Sequence, residues 1–497
     1  MKKDVVILFF PKTSGNGSGK RLPYTLLYLE RTLRGLGLEV ILVDESCQPN
    51  YPAALDQKRD RILLAGVSSM TGSQISGGIA FSKWLRKAGS APIVWGGWHP
   101  TLLPKQTLQE PYVDFVVIGQ GERPLRQLVE RLLNGQDPSD IPGLGFKRGT
   151  EIFVNRSAPF DGINAFPPIN LGLLDPNNYV YSAAPLGKRC MVYFASHGCP
   201  FNCGFCSMAA VYRHHWYHKP VSQIIEDLRT LKERAGIDSM YFMDPNLFVN
   251  PDFCRQLARA MIDAELNLRW YSQGHTRLLT TRFTDEDMRL FVQSGCSQII
   301  VGAESGDPEV LDVVGKRAKV EDTFRLVALL KRHGIVPYLS TMVCLPMNPA
   351  RDLDLTIDML ARAKLMDPRL QASIWNYTPY PGTELYERAK QKGFIPPQRL
   401  EDWAVHSLTS FRAPWAPRGY AKRLELFQEC YFRMLDPQAH GKFRHPAVRV
   451  LAFPINMVLF AITWLRFKTK YYGFPIEAVV FRRLFQLYDQ KRHNGTL

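Results

Sequence analysis

Short apolar runs alternate with amphipathic helical segments twice along this chain, and that alternation restricts its fold more than anything else in it. The first block has runs at Val5–Phe10, Val40–Val43, Ile62–Val67, Pro92–Trp95 and Phe115–Ile118. Helical patterns fall between them, as at Tyr24–Leu36 and Gln74–Ala88; in the first, Leu26, Leu29, Leu33 and Leu36 recur at helical spacing. Parallel strands need a crossover, and a helix of this length supplies one, so the pattern predicts βαβ units and an α/β fold. Residues 1–140 are therefore expected to form a three-layer, Rossmann-like domain. Its ligand would lie beyond the carboxyl ends of the strands, at the loops Pro11–Leu22, Ser68–Ser73, Gly96–Pro104 and Gly119–Glu122.

The alternation resumes over 188–395, with strands expected at Cys190–Phe194, Ser239–Phe242, Leu268–Ser272, Gln298–Val301, Val336–Met342 and Leu370–Tyr377. One intervening helix starts at Asn250 with Pro251 in its first turn, and another at Thr284, where Thr284 and Asp287 fit a capping box. Six such units predict a partial or complete (β/α) barrel with its site at the carboxyl strand ends. Between the blocks, prolines and glycines cluster (Pro142, Gly143, Pro159, Pro167, Pro168, Pro176), so 141–187 reads as a linker with little structure of its own. Residues 396–497 show no strand pattern and read as a helical extension.

Composition narrows the class further. The 497 residues suffice for several domains, and 45% hydrophobic with 22% charged excludes wholesale disorder, collagen and coiled coil. Nine cysteines are too few for a disulfide scaffold. Lys and Arg outnumber Asp and Glu 62 to 46, a net +16 that raises nucleic acid, an anionic membrane or an acidic substrate as partner. The opening Met1-Lys2-Lys3-Asp4 leads into an apolar run too short for a signal peptide, with no small-residue cleavage site after it. The expected location is the cytoplasm, where thiols stay reduced.

The sharpest local feature is Ser196-His197-Gly198-Cys199-Pro200-Phe201-Asn202-Cys203-Gly204-Phe205-Cys206, directly after the first strand of the second block. Three thiolates at C-x3-C-x2-C spacing can hold three irons of a cubane cluster, and with no fourth cysteine nearby one iron stays open. A structural zinc site would need a fourth ligand, for which His197 is the candidate.

C-x3-C-x-aromatic-C after the first barrel strand resembles the radical S-adenosylmethionine (SAM) superfamily, with Phe205 as the aromatic. The resemblance implies a partial (β/α)6 barrel and a [4Fe–4S] cluster on Cys199, Cys203 and Cys206. The open iron would chelate SAM, whose reductive cleavage gives a 5′-deoxyadenosyl radical able to abstract hydrogen from an unactivated carbon. Tyr241–Phe248 resembles the acidic segment after the second strand, with Asp244. Gly302-Ala303-Glu304-Ser305-Gly306 resembles the G-x-E-S-G segment near SAM. Glu304 suits an ammonium or ribose hydroxyls, because an ionised carboxylate only accepts hydrogen bonds. The resemblance thus implies SAM contacts from Phe205, Asp244, Glu304 and Ser305; a helix cap is the structural alternative for Ser305. Tyr377–Leu385 resembles the P-x-P-G-T segment, which also reads as a Pro–Gly turn before a helix. Leu345-Pro346-Met347-Asn348-Pro349 departs from the family's Leu-Pro-Gly-Glu-Thr-like loop, so contacts from that loop are not expected.

The first block resembles the cobalamin-binding domain of B12-dependent radical SAM enzymes at Gly66–Gly72, Gly96–Pro104 and Asp114–Glu122. This implies a cobalamin site at Ser68, Ser69, Thr71, Gly96, Gly97, Gly119 and Gly121, with glycines admitting close backbone approach and hydroxyls donating to the nucleotide tail. The D-x-H-x-x-G signature is absent. His99, the positional substitute for an axial histidine, reads as a structural turn residue.

Residues 415–497 hold 14 Lys/Arg and 5 Asp/Glu, or +9 of the +16, beside the longest apolar run, Val448–Leu465. Arg449, Pro454 and Asn456 argue against a span and for an interfacial helix on an anionic membrane, through 442–470, at the inner face; a buried helix is the equal alternative. Zinc-finger spacing and an RRM signature are missing, so nucleic acid is not expected. The resemblance implies a small-molecule substrate (tetrapyrrole, lipid or natural product) to be methylated, cyclised or rearranged, and an external one-electron reductant of the flavodoxin or ferredoxin type. His214, His215, Trp216, Tyr217, His218, Tyr271, His275 and Arg277 are substrate-side candidates, although such residues are more often helix-surface or packing positions. Two other functions stay open: a cobalamin-free radical SAM oxidoreductase with a degenerate B12-like domain, and a non-catalytic metal-binding scaffold at a membrane.

Overall fold

The computed structural model describes residues 3–13, 21–183, 186–408, 410–435, 446–469, 471 and 475–483. Five strands of the first domain, β1 (Val5–Phe10), β2 (Glu39–Asp44), β3 (Ile62–Ser68), β4 (Ile93–Gly96) and β5 (Phe115–Val117), pair in parallel in the order β2-β1-β3-β4-β5. Helices on both faces explain why β1 and β3 are almost continuously apolar and buried. Chain direction across the sheet reverses between β1 and β3, so a crevice opens beyond their carboxyl ends.

The supposed linker is partly structural. β6 (Leu144–Arg148) and β7 (Glu151–Val154) extend the same sheet antiparallel to β5. The domain therefore runs to about residue 154. The strands escape a periodicity search because they are short, follow Pro142 and Gly143, and turn tightly through Gly149 at φ 60°. Only isolated 3-10 turns follow up to Tyr179, as a linker would have.

In the second domain the first strand, β8 (Cys190–Tyr193), is followed by a small antiparallel pair, β9 (Ser196–Gly198) and β10 (Trp216–His218). The main sheet continues with β11 (Ser239–Phe242), β12 (Arg269–Gly274), β13 (Cys296–Glu304), β14 (Val336–Val343) and β15 (Gln371–Asn376). All six strands pair in parallel, in the order β15-β14-β13-β12-β11-β8, with β8 and β15 at the edges. That is the open (β/α)6 barrel. Along β14, Leu339, Thr341 and Val343 are buried while Tyr338, Ser340 and Met342 keep some exposure, the alternation of a strand with helices behind and an open lumen in front. Asn250 caps the helix Pro251–Asp263, and Thr284 and Asp287 form the expected capping box.

Beyond the barrel the chain returns to the first domain. Trp403 Nε1 donates to Gln106 Oε1 at 2.8 Å, and Gln106 Nε2 donates to the Pro397 carbonyl at 3.1 Å. The tail is helical: Tyr420–Leu426 continues to Met434, and Pro446–Thr469 forms one helix through Pro454. Lys442, Arg444, His445 and Lys470, basic residues on either side of the apolar run Val448–Leu465, lie outside the described residues. Among the described residues, no helix is long and apolar enough to cross a membrane.

Candidate active site

The three cysteines sit on an excursion between β9 and β10, at the carboxyl end of β8. Gly198 starts it at φ 78°; a Cβ there would stand 2.1 Å from the His215 carbonyl oxygen, so only glycine fits. Backbone bonds seat the loop: Gly204 N donates to the Val314 carbonyl at 2.9 Å, and Leu385 N to the Gly204 carbonyl at 3.0 Å. The loop's root is held by Asp244, fully buried beyond β11, which accepts from Ala195 N and from both the backbone and hydroxyl of Ser196. Burial raises the Asp244 carboxyl to about 6 against those hydrogen bonds. Asp244 thus braces the root of the cysteine loop.

Cys199, Cys203 and Cys206 are free and half-buried. Burial raises all three thiols, Cys203 to about 11, while the Lys316 ammonium pulls each down. A metal bound here would have to displace the thiol protons, and the Lys316 ammonium lowers the cost of that step. Among the described residues no group of three His, Cys, Asp or Glu converges on a single metal ion. A cubane, with each thiolate on a different iron, does not require that convergence. His197 is not placed for a zinc site: its ring is half-buried and Nε2 shares a 2.9 Å hydrogen bond with Tyr28 Oη.

Lys316 was not found by sequence reasoning. It follows Gly315 (φ 65°) on a turn that lies against the Asn202 carbonyl, and its Nζ donates to Glu304 Oε1 at 2.7 Å. The only hint in sequence is a Gly-Lys-Arg turn twelve residues after Glu304, too common to select. Glu304 ends β13 in the left-handed region at φ 57°, which turns its carboxylate onto Lys316. His275 stacks on Phe201 of the cysteine loop with centroids 4.3 Å apart, and its Nε2 bonds the Lys316 carbonyl at 2.9 Å. Phe205 packs at the edge of the core that includes Tyr377 and Leu385.

Ser305 is a correction. Its hydroxyl is fully buried, donates to Asp352 Oδ1 at 2.6 Å and accepts from Asp307 N at 2.8 Å, so nothing of it is left for SAM. It is not the helix cap either, because Asp307 caps Pro308–Val313. The P-x-P-G-T segment is a turn before a helix, with Gly382 at φ 78° and Thr383 capping Glu384–Gln391.

Of the substrate-side candidates, Trp216 and His218 pack on Phe253 behind the barrel, and Arg277 bonds the Arg317 carbonyl. Tyr271 does face the lumen. It stacks on Tyr241 at 4.4 Å and 9°, and its hydroxyl bonds that of Tyr181 at 2.8 Å. Gln273 Nε2 donates to Tyr241 Oη.

In the first domain, the named residues gather at the carboxyl ends of β3, β4 and β5. Ser69 N donates to the Gly96 carbonyl at 2.9 Å, and His99 N to the Ser69 carbonyl at 3.2 Å. Gly97, at φ 99°, lies so close that a Cβ would stand 2.8 Å from the Ser69 oxygen. Gly119 N donates to Thr101 Oγ1 at 3.0 Å, and Gly121 precedes the helix Glu122–Leu133. Two hydroxyls are committed internally: Ser69 Oγ to the Met70 carbonyl and Thr71 Oγ1 to His99 Nδ1. His99 is fully buried against Trp403, and burial pushes its imidazole down to about 3. Its Nε2 is buried and has no hydrogen-bond partner among the described residues.

This face meets the barrel beside the cysteine loop. Trp98 stacks edge-on to Tyr212 at 6.2 Å, on the short helix Met208–Tyr212 that follows Cys206. A Cβ on Gly382 would come within 2.9 Å of Leu102, and one on Gly119 within 4.0 Å of the Arg213 guanidinium.

The family model described as the radical SAM superfamily matches residues 193–360, and that described as the B12 binding domain matches 19–129. An uncharacterized methyltransferase of Pyrococcus horikoshii is 28% identical over 299 residues, covering 60% of this chain and 62% of that one. Anaerobic magnesium-protoporphyrin IX monomethyl ester cyclase of Rubrivivax gelatinosus is 26% identical over 306 residues, 60% of this chain and 53% of that one. The chain thus spans about half to three fifths of the length of these curated relatives. Among solved structures, the cobalamin-dependent SAM radical enzyme OxsB superposes with TM-score 0.71 at 16% identity, over 99% of this chain and 75% of that one. The radical SAM methyltransferase TsrM of Kitasatospora setae superposes with TM-score 0.64 at 18% identity, over 80% and 76%. The chain therefore carries a radical SAM domain preceded by a B12-binding domain, on a fold that it shares with OxsB.

Proposed function

We propose that this chain is a cobalamin-dependent radical SAM enzyme that methylates or cyclises an unactivated carbon of a small molecule, of the tetrapyrrole, lipid or natural-product class. The observation that carries the reading is the placement of three half-buried thiols at the end of β8, against the Glu304–Lys316 pair and beside the strand ends of the B12-binding domain. Methyltransferases and a porphyrin cyclase among the relatives support the reaction class.

Cys199, Cys203 and Cys206 would hold a [4Fe–4S] cluster, and the backbone of Gly96, Gly97, Gly119 and Gly121 would admit cobalamin, with Ser68 beside them. When bound, the cluster supplies one electron to the sulfonium of SAM and cobalamin supplies a transferable methyl group. The chain's own part is positioning. Asp244 fixes the root of the loop, Phe205 wedges it against the Tyr377 core, and Glu304 offers a carboxylate to the amino group or ribose of SAM. Lys316 Nζ donates to that carboxylate at 2.7 Å and fixes where it points. The stacked Tyr241 and Tyr271 line a lumen suited to a substrate with a flat face.

The reductant would be a one-electron carrier of the flavodoxin or ferredoxin type. We place the enzyme in the cytoplasm, resting on the inner face of the membrane through 442–470.

Anaerobic purification with hydroxocobalamin tests the assignment. The expected protein binds about four irons per chain, retains corrinoid absorbance and forms 5′-deoxyadenosine from SAM. Replacing all three cysteines by alanine should abolish both iron and SAM cleavage. SAM cleavage without retained corrinoid would favour the cobalamin-free oxidoreductase; iron without cleavage, the scaffold.

A further inference from the structure

The helix Pro446–Thr469 is inside out for a helix in water. It contains no Asp or Glu. Its polar Asn456 and Thr463 lie on the protein side, 9% and 0% exposed, with Phe467. The outer side presents Val450, Val458, Ile462 and Leu465 at 72, 58, 36 and 62% exposure. Residues 476–483 add a second helical segment that exposes Ile476 and Val479 at 71 and 49%. Arg466 Nη2 donates to Glu477 Oε2 at 2.8 Å, and Tyr431 Oη donates to Glu477 Oε1 at 3.1 Å. This clasp holds both segments against the Tyr420–Met434 helix and keeps their outer sides turned out together. An apolar surface of this extent marks an interface.

Charge decides what kind. Arg449 and Lys468 are exposed near the two ends of the long helix, and Lys468 Nζ sits 5.1 Å over the Trp464 ring. A basic side chain beside an aromatic ring, at the end of an apolar strip, as Lys468 is beside Trp464, is an arrangement that seats a helix at the headgroup level of a bilayer. The surrounding residues 415–497 carry +9. Pro454 and the Arg449 charge fit a helix that lies in the surface rather than through it.

We propose that these two helical segments form one docking face for an anionic lipid bilayer, with Val450, Val458, Ile462, Leu465, Ile476 and Val479 at the acyl boundary and Arg449 and Lys468 among the headgroups. This deepens the peripheral-membrane reading above and does not depend on the radical chemistry.

The test is co-sedimentation of the full chain with vesicles of phosphatidylcholine alone and of phosphatidylcholine with about a third phosphatidylglycerol. Binding should be at least about tenfold stronger to the anionic vesicles and fall as salt rises. Val458→Asp/Ile462→Asp should lower it about tenfold or more, and Arg449→Gln/Lys468→Gln should remove most of the anionic preference. SAM cleavage and the far-ultraviolet dichroism of both variants should match the unaltered chain, which separates loss of docking from loss of fold or of catalysis. Three results would overturn the proposal: no pelleting with either vesicle, equal pelleting with both, or a solution dimer that Val458→Asp/Ile462→Asp dissociates without changing vesicle binding.

Discussion

Gly302 has no room for a side chain. A Cβ there would stand 2.1 Å from Glu304 Oε1 and 2.7 Å from Lys316 Nζ, so the charged pair lies directly over its α-carbon. Gly302→Ala must part the pair or push both groups toward the cysteine loop. We expect SAM affinity, measured by equilibrium dialysis on the iron-loaded protein, to fall by tenfold or more, for a fold loss of only about 1–3 kcal/mol. Asp352 gives a pH signature. Burial raises its carboxyl to about 7 although Ser305 and Thr356 hydrogen-bond it. An acid that titrates higher in the folded than in the unfolded chain binds its proton preferentially when folded. Its favourable contribution is complete below about pH 4 and is lost as pH rises toward 7. Asp352→Asn has no such titration, so its stability relative to the unaltered chain should climb by roughly 1.4 kcal/mol per pH unit at most across that window. Thermal unfolding midpoints of the metal-free proteins at pH 4.5 and 7.5 check the direction. Legibility at this scale follows locality. The cysteine loop and the end of β13 at Glu304 are readable as places in the fold because their spacing is set within a few residues. Lys316 is not, because a turn after another strand brings it in. Ser305 was misread because a motif cannot say which side of a strand end a hydroxyl takes.

Most strands of the two parallel sheets were legible to within two residues, because a parallel sheet covered by helices demands continuous apolar runs; Val5–Phe10 and Ser239–Phe242 coincide with β1 and β11, whereas β13 extends to Cys296–Glu304 beyond the expected Gln298–Val301 and the short pair β9 and β10 was not expected. β6 and β7 were not, because an edge hairpin has one wet face and needs no such run; β7 is largely exposed. Helix–sheet packing also uses small residues that carry no sequence signal of their own. In the helix Gln74–Ala88, a Cβ on Gly78 would stand 2.7 Å from the buried Trp95 ring and 3.0 Å from Val67 Cγ1. Alanine gains up to about 1 kcal/mol of helix propensity over glycine, while forcing a methyl into a packed core costs about 1–3 kcal/mol. Overpacking should win, and Gly78→Ala should lower the thermal midpoint rather than raise it.

At the scale of the molecule, the two domains are joined by buried polar contacts from one helix. On Tyr24–Leu33, Tyr24 Oη donates to the Val192 carbonyl at 2.9 Å, Tyr28 Oη bonds His197, and Arg31 pairs with Glu122 while donating to the Ile163 and Pro167 carbonyls. Three consecutive helical turns of the B12-binding domain therefore grip β8, the root of the cysteine loop and the connecting segment. None of this could be read from the sequence, where these residues pass as a helix surface. Tyr28→Phe keeps the ring but leaves the half-buried His197 nitrogen without its partner, a cost of about 1 kcal/mol. Burial already holds that imidazole neutral, down to about 3, so it cannot recover by charging within the working range of the protein. The loss falls on the junction between domains, not on either core. Limited proteolysis should therefore open between 155 and 187 faster in Tyr28→Phe, while iron retained per chain after anaerobic gel filtration drops. Faster cleavage elsewhere with iron retention unchanged would mean that the cysteine loop is held from the barrel side alone, by Asp244 and the bonds at Gly204.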